Sequence, residues 1–182
     1  MNELNKICIA NIEKESMVDG PGIRTCIYTL GCSHHCKGCH NQWTWKLDDT
    51  CYWTFKEVAD ELRIDKLATN LSFSGGDPLY APEVLLALLE YLSEQDDISV
   101  KMKDIWLWTG YTKHKLDNLI KTNETINKIF NYVSVVIPEP FVEKLRNLQL
   151  LYRGSSNQRI YKVNHDSNNT LIDITEEIES EN

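Results

Sequence analysis

The stretch Gly31-Cys32-Ser33-His34-His35-Cys36-Lys37-Gly38-Cys39-His40 decides how this chain is read. It sets three thiols in a C-x3-C-x2-C run, and Gly31 and Gly38 make it a loop rather than a regular element. Thiols this close can all reach one common inorganic centre. Iron–sulfur cubanes are normally held by four thiolates, so three hold three corners and leave one iron without a protein ligand. An open coordination position lets a metal site do chemistry rather than staple a fold. The run points to a reactive cluster, not an electron carrier.

Outward from the loop, apolar β-prone runs alternate with helical patterns. Strands are expected at Lys6–Asn11, Thr25–Leu30, Leu71–Ser74, Ile105–Trp108 and Val133–Ile137, with a weaker one at Arg159–Val163. Thr54 with Glu57 three residues on reads as a capping box, and Val58, Leu62 and Leu67 as that helix's apolar face. Ala81-Pro82-Glu83 opens a second helix with Val84, Leu85, Leu88, Leu89 and Leu92 as its buried stripe. His114 to Thr122 reads as a third. Strand–helix–strand alternation predicts an α/β fold with a parallel sheet and helices outside.

The 182 residues suffice for one domain with a core, and 42% hydrophobic with 25% charged residues is ordinary for a soluble globular protein. The formal charge is −8, but Asp173 to Asn182 hold five acids and no base. Residues 1–163 are therefore read as the domain, and 164–182 as an acidic, flexible tail or, alternatively, a docking segment. Net acidity without a basic stripe argues against a nucleic-acid partner. No apolar run is long enough to span a membrane, and the start of the chain lacks a secretory pattern, so a cytoplasmic location is expected. There the six cysteines serve metal or redox chemistry rather than disulfides. Cys8, Cys26 and Cys51 lie outside the run and read as small packing residues.

Ligands of open α/β sheets sit at the carboxyl ends of strands. Three exits qualify: the cysteine loop after Thr25–Leu30, Gly75-Gly76-Asp77-Pro78 after Leu71–Ser74, and Thr109-Gly110-Tyr111 after Ile105–Trp108. The two glycines let backbone approach a ligand closely, although the same four residues also read as an ordinary turn before a helix.

A C-x3-C-x2-C run followed by Gly-Gly-Asp-Pro after the next strand resembles the radical S-adenosylmethionine superfamily. Val18-Asp19-Gly20-Pro21-Gly22-Ile23-Arg24 resembles the start of its glycyl-radical-enzyme activases. Cys39-His40-Asn41-Gln42-Trp43-Thr44-Trp45, Asp104 to Tyr111, and Arg153-Gly-Ser-Ser-Asn-Gln-Arg159 narrow the resemblance to activating proteins of anaerobic (class III) ribonucleoside-triphosphate reductase. It runs from about residue 18 to 162.

The resemblance implies an incomplete parallel (β/α) barrel of the radical S-adenosylmethionine type, open on one side toward a large protein substrate. It implies that Cys32, Cys36 and Cys39 ligate a [4Fe–4S] cluster whose fourth iron chelates S-adenosylmethionine. Gly75, Gly76, Asp77 and Pro78 then bind the methionine part, the Asp77 carboxylate accepting from its ammonium. Cleavage yields a 5′-deoxyadenosyl radical that takes a hydrogen atom from a glycine of the reductase large subunit, with a low-potential donor such as flavodoxin supplying the electron.

Partner contacts are expected at Asp19, Gly20, Arg153 and Arg159. Two readings stand for Asp19, an acceptor for the incoming backbone or part of a tight turn. The arginines hold either partner carboxylates or the sheet's own carbonyls. His34, His35 and His40 flank the thiols and can hydrogen-bond sulfide or tune the potential, a solvated role being expected for His35. Two positions depart from the family pattern. Gly38 stands where many superfamily members carry an aromatic residue. Pro138-Glu139-Pro140 stands where an Asp-Gly pair is usual, so Glu139 either substitutes for the carboxylate or its role is lost. The alternatives are an activase of another glycyl radical enzyme, of the pyruvate formate-lyase type, and a structural zinc module using the same cysteines and histidines.

Overall fold

A computed structural model of the protein describes residues 5–180. In chain order the elements begin with β1 (Lys6–Ser16), β2 (Arg24–Thr29), β3 (Tyr52–Thr54), α1 (Phe55–Ile64), β4 (Asn70–Gly75), α2 (Pro82–Ser93) and α3 (Asp96–Ser99). They continue with β5 (Ile105–Trp108), α4 (Lys113–Thr122), α5 (Glu124–Phe130), β6 (Val135–Ile137), β7 (Tyr161–Asn164), β8 (Thr170–Asp173) and α6 (Thr175–Ser180). The strands form one sheet in the order β3-β1-β2-β4-β5-β6-β7-β8. β2, β4, β5 and β6 are parallel neighbours.

The expected parallel sheet is thus its centre, and its flanks are antiparallel. β1 runs on to Ser16 and pairs antiparallel with β2. The short connection between them cannot hold the crossover of a dozen or more residues that a parallel pair needs. β7 likewise pairs antiparallel with β6.

The segment read as a flexible tail carries two regular elements. β8 forms a hairpin with β7, and α6 follows it. Asn168 and Asn169 supply the turn with φ of 53° and 58°, a conformation asparagine tolerates better than most residues. The Asn169 amide is buried and donates to Asn127 O and Asn131 Oδ1. Of the acids that marked the segment as a solvated tail, Asp173 ends β8, and Glu176, Glu177 and Glu179 lie on α6. Residues 1–4 and 181–182 of the two expected spans lie outside the described residues.

Helices α1, α2, α4 and α5 cover one face of the sheet. Val58 and Leu62 of α1 and Leu85, Leu88, Leu89 and Leu92 of α2 pack there against Ile27, Leu71, Phe73, Ile105 and Leu107. Each such leucine contributes about 1.5–3 kcal/mol relative to an exposed one. The Thr54 capping box forms: its hydroxyl accepts from Glu57 N, and the Glu57 carboxylate accepts from Thr54 N. Leu67 departs from the expected helical face. α1 ends at Ile64, and Leu67 is exposed in the loop beyond. On the other face Trp106, Val135, Ile137 and Ile160 pack with Ile174 and Ile178 of the C-terminal segment.

Asp65 ties the α1–β4 loop to the sheet. Its buried carboxylate accepts from Thr25 Oγ1 at 2.6 Å and from the backbone N–H of Glu15 and Ala68, each at 3.2 Å. Burial alone pushes the group up, but these hydrogen bonds and nearby Lys101 hold it below the usual carboxylate range. Its folded pKa therefore lies below its unfolded value of about 3.9, so its stabilisation is full above that pH and is lost as pH falls through the folded pKa. Asp65→Asn is expected to lose about 1–3 kcal/mol near neutral pH. Its stability should also decline less steeply than the parent's below about pH 4, measured by denaturant titration across that range.

Candidate functional site

A cavity of about 940 Å³ opens at the carboxyl ends of β2, β4 and β5. Cys32, Cys36 and Cys39 all line it, together with Gly75 and Gly76. Cys32 is buried and the other two thiols half-buried. Backbone bonds fix the loop that carries them. Gly31 N donates to Thr44 O at 2.9 Å, Cys32 N to Trp45 O at 3.0 Å and Cys39 N to Cys36 O at 3.1 Å.

The glycine pair brings β4's exit hard against this loop. Gly76 N donates to Thr29 O and Asp77 N to Gly31 O, each at 2.8 Å. A Cβ on Gly75, whose φ is +100°, would meet Thr29 backbone at 2.7 Å, and one on Gly76 would meet Gly31 O at 2.5 Å. The close approach expected toward a ligand is also one toward the chain itself.

Burial pushes the Cys32 and Cys36 thiols up, opposed by backbone N–H groups aimed at their sulfurs: those of His34 and His35 at Cys32, those of Phe141 and Cys36 at Cys36. Such donors favour a thiolate ligand. Among the described residues no three His, Cys, Asp or Glu side chains gather tightly enough for a single metal ion. The thiols instead face a wide shared space, which suits the larger footprint of a four-iron cubane. The residues present therefore fit a [4Fe–4S] cluster.

Asp77 follows the glycine pair at the exit of β4. It is 2% exposed, and its carboxylate accepts from Leu79 N, Thr109 Oγ1 and Gly110 N and pairs with His34 Nε2. Pro78 begins the short turn Pro78–Tyr80 and is buried. Asp19 lines the cavity, its carboxylate already accepting from Ser16 Oγ at 2.6 Å and Tyr28 O–H at 2.9 Å. Gly20, with φ +117°, is buried where a Cβ would come within 2.9 Å of Arg24 Cδ.

The two arginines are taken up by the chain's own groups. Arg153 donates to Gln158 O at 2.8 Å and pairs with Glu179 of α6, while its buried Nε has no hydrogen-bond partner among the described residues. Arg159 donates to Asp173 Oδ2 at 2.8 Å and lies 3.7 Å from Glu176. Glu139, with φ 85°, caps α4 by accepting from Lys113 N at 2.7 Å. His40 lines the cavity, whereas exposed His35 tilts against Trp45. Cys8 and Cys26 are buried packing residues, as read.

Sequence reasoning missed the aromatic wall of the cavity, formed by Tyr28, Trp108, Phe141 and Tyr152. Trp108 Nε1 donates to Tyr152 O at 2.9 Å, joining β5 to the loop before β7. The available signal was Trp108's position at the end of a parallel strand, on the parity of Trp106 and opposite to the helix-facing Leu107.

Comparison with known proteins agrees with this geometry. The family model of a 4Fe-4S single cluster domain matches residues 18–161. The chain is 37% identical over 154 residues to the anaerobic ribonucleoside-triphosphate reductase-activating protein of Salmonella typhi, covering 81% of this chain and 93% of that one. The protein of the same name in Vibrio cholerae is 37% identical over 151 residues, with 80% and 92% covered. The one in Enterobacteria phage T4 is 34% identical over 149 residues, with 79% and 86% covered. Among the described residues no helix is long and apolar enough to cross a membrane. The chain belongs to the family of anaerobic ribonucleoside-triphosphate reductase-activating proteins.

Proposed function

We propose that the chain is the activating enzyme of an anaerobic ribonucleoside-triphosphate reductase, installing a glycyl radical on its large subunit. The observation that carries this reading is the convergence of Cys32, Cys36, Cys39, Gly75 and Gly76 on one cavity in a chain of this family. Four parallel strands with helices on one face and the cavity at their carboxyl ends support an incomplete barrel of the radical S-adenosylmethionine type. A low-potential donor such as flavodoxin completes the system.

Cys32, Cys36 and Cys39 would hold the cluster. With S-adenosylmethionine, the bound cluster would supply the electron for reductive sulfonium cleavage, the chemistry that generates the species able to take a hydrogen atom from a glycine. The chain's own work is binding, orientation and exclusion of water. Gly75 and Gly76 line the cavity without side chains of their own, so their backbone carbonyls can meet the methionine part. Trp108, Phe141 and Tyr152 offer apolar surface against which a nucleobase can stack.

The test is anaerobic reconstitution with iron and sulfide, then addition of dithionite and S-adenosylmethionine. 5′-Deoxyadenosine is expected, with a glycyl radical detected by electron paramagnetic resonance once the reductase is added. An intact cluster with neither product would overturn the reading.

The cavity mouth supports a protein substrate. Met17, Val18 and Leu148 line it while remaining 73%, 76% and 84% exposed. Apolar groups left in water at a site's rim mark a docking surface. Leu148→Asp is expected to raise the reductase concentration needed for half-maximal radical yield by about tenfold, equivalent to about 1.4 kcal/mol. Radical yield titrated against reductase checks this.

A further inference from the structure

We infer that His34 and Asp77 form a positioning pair that clamps the middle of the cysteine loop onto the exits of β4 and β5. On this inference, which rests on the proposed function, Asp77 acts on S-adenosylmethionine only through His34 and is not its ammonium acceptor.

The Asp77 carboxylate has no capacity to spare. Oδ1 accepts from Leu79 N at 2.9 Å and Thr109 Oγ1 at 3.1 Å. Oδ2 accepts from the same hydroxyl at 2.9 Å and from Gly110 N at 3.2 Å, and lies 2.5 Å from His34 Nε2. A carboxylate offers about four lone-pair sites, and four donor groups already converge on this one. The pairing requires the proton on Nε2, because an ionised carboxylate only accepts. A ligand ammonium would have to displace a donor from a group that is 2% exposed.

His34 is seated by more than this bond. Its ring meets Tyr111 edge-on, with centroids 4.9 Å apart and planes at 87°. It also fills the space over Gly110, where a Cβ would come within 2.4 Å of its Cδ2. Gly110 is thus left without a side chain to admit His34. The loop's entrance is held by backbone, Asp77 N to Gly31 O at 2.8 Å. In its middle, where His35 tilts against Trp45 and the Phe141 N–H faces the Cys36 sulfur, His34 is the side chain that reaches the exits of β4 and β5. Lys37 reaches only exposed Glu143, at 3.9 Å, a pair worth little in solvent. Both tethers start from Asp77, one from its amide and one from its carboxylate. The residue therefore fixes where Cys32 and Cys36 stand relative to Gly75 and Gly76.

The test uses the full chain, reconstituted anaerobically, with S-adenosylmethionine titrated against the paramagnetic resonance spectrum of the reduced cluster. His34→Ala and Asp77→Asn are both expected to load iron and sulfide yet bind S-adenosylmethionine about 10- to 100-fold more weakly, the range for losing an outer-shell partner. The double variant should be little worse than either single one, since both remove one contact. His34→Gln, which can present an N–H near the Nε2 position, should recover most of the affinity. That recovery and the altered spectrum separate positioning from simple destabilisation.

Wild-type binding in His34→Ala alongside weak binding in Asp77→Asn would restore Asp77 as a direct ligand and overturn the inference. So would wild-type titrations in both. If His34→Ala is too unstable to load, Thr109→Val, which removes the hydroxyl feeding both Asp77 oxygens, is read in its place. Weaker binding supports the clamp, and unchanged binding overturns it. A parent protein whose spectrum ignores S-adenosylmethionine would overturn the proposed function itself, a result distinct from any difference between variants.

Discussion

Cys36→Ala is expected to abolish iron retention and 5′-deoxyadenosine formation together, whereas Cys26→Ala and Cys51→Ala keep both. The contrast follows from position rather than residue type. Cys36 lines the cavity with Cys32 and Cys39. Cys26 is fully buried within β2, and Cys51 lies away from the cavity, its carbonyl accepting from Ile9 N and its N–H donating to Asp48 O. Removing one of three ligands leaves two, so activity should fall more than about 100-fold, beyond the loss from an outer-shell partner. Cys26→Ala should instead cost stability alone, about 1 kcal/mol for a small deletion in a packed strand. Iron and sulfide analysis after anaerobic loading, with chromatography of the nucleoside product, checks both arms. Turnover retained by Cys36→Ala would place the ligands elsewhere. Equal loss in all three variants would mean that the cavity is not what selects the ligands.

That contrast was legible from spacing, because three thiols in one loop need no tertiary information to share a centre. Strands β2 and β5 were legible because strands buried on both faces read as nearly continuous apolar runs, and β4 because Leu71 and Phe73 alternate with serines. What spacing could not carry was partner choice across the fold. Asp77 and His34 are 43 positions apart, and nothing local says that the carboxylate faces an imidazole rather than a ligand. Arg153 and Arg159 read as partner contacts because their acids, Glu179 and Asp173, lie in a segment whose composition resembles a solvated tail. The β7–β8 hairpin was hard to read because the acidity of the segment outweighs the turn signal of Asn168-Asn169. The segment's apolar members Ile174 and Ile178 cover Trp106, Ile137 and Ile160, which gives it a reason to fold back.

Arg24→Met is expected to destabilise the protein by about 3–5 kcal/mol, a large share of the 5–15 kcal/mol that holds a typical domain together. Arg24 is fully buried beneath the loop that carries Val18 and Asp19 to the cavity. Its five N–H groups are all used. Nε donates to Ser72 Oγ at 2.8 Å. Nη1 donates to Pro21 O at 3.1 Å and Asp104 Oδ2 at 2.8 Å. Nη2 donates to Leu71 O and Asp104 O, each at 2.8 Å. The guanidinium also lies 5.4 Å from the centre of the Trp106 ring. Methionine fills similar space but donates nothing, so it strands three carbonyls, a hydroxyl and a carboxylate. Arg24→Lys keeps the charge on three donors without the planar fork, and should recover only part of the loss. Denaturant titration of the three proteins gives the ranking: parent, then lysine, then methionine. Because Pro21 is one of the acceptors, the lysine variant should also hold residues 17–22 less firmly, and faster amide hydrogen exchange there is expected. A methionine variant within about 1 kcal/mol of the parent would show that the loop is anchored by other contacts, and that the guanidinium is replaceable by packing alone.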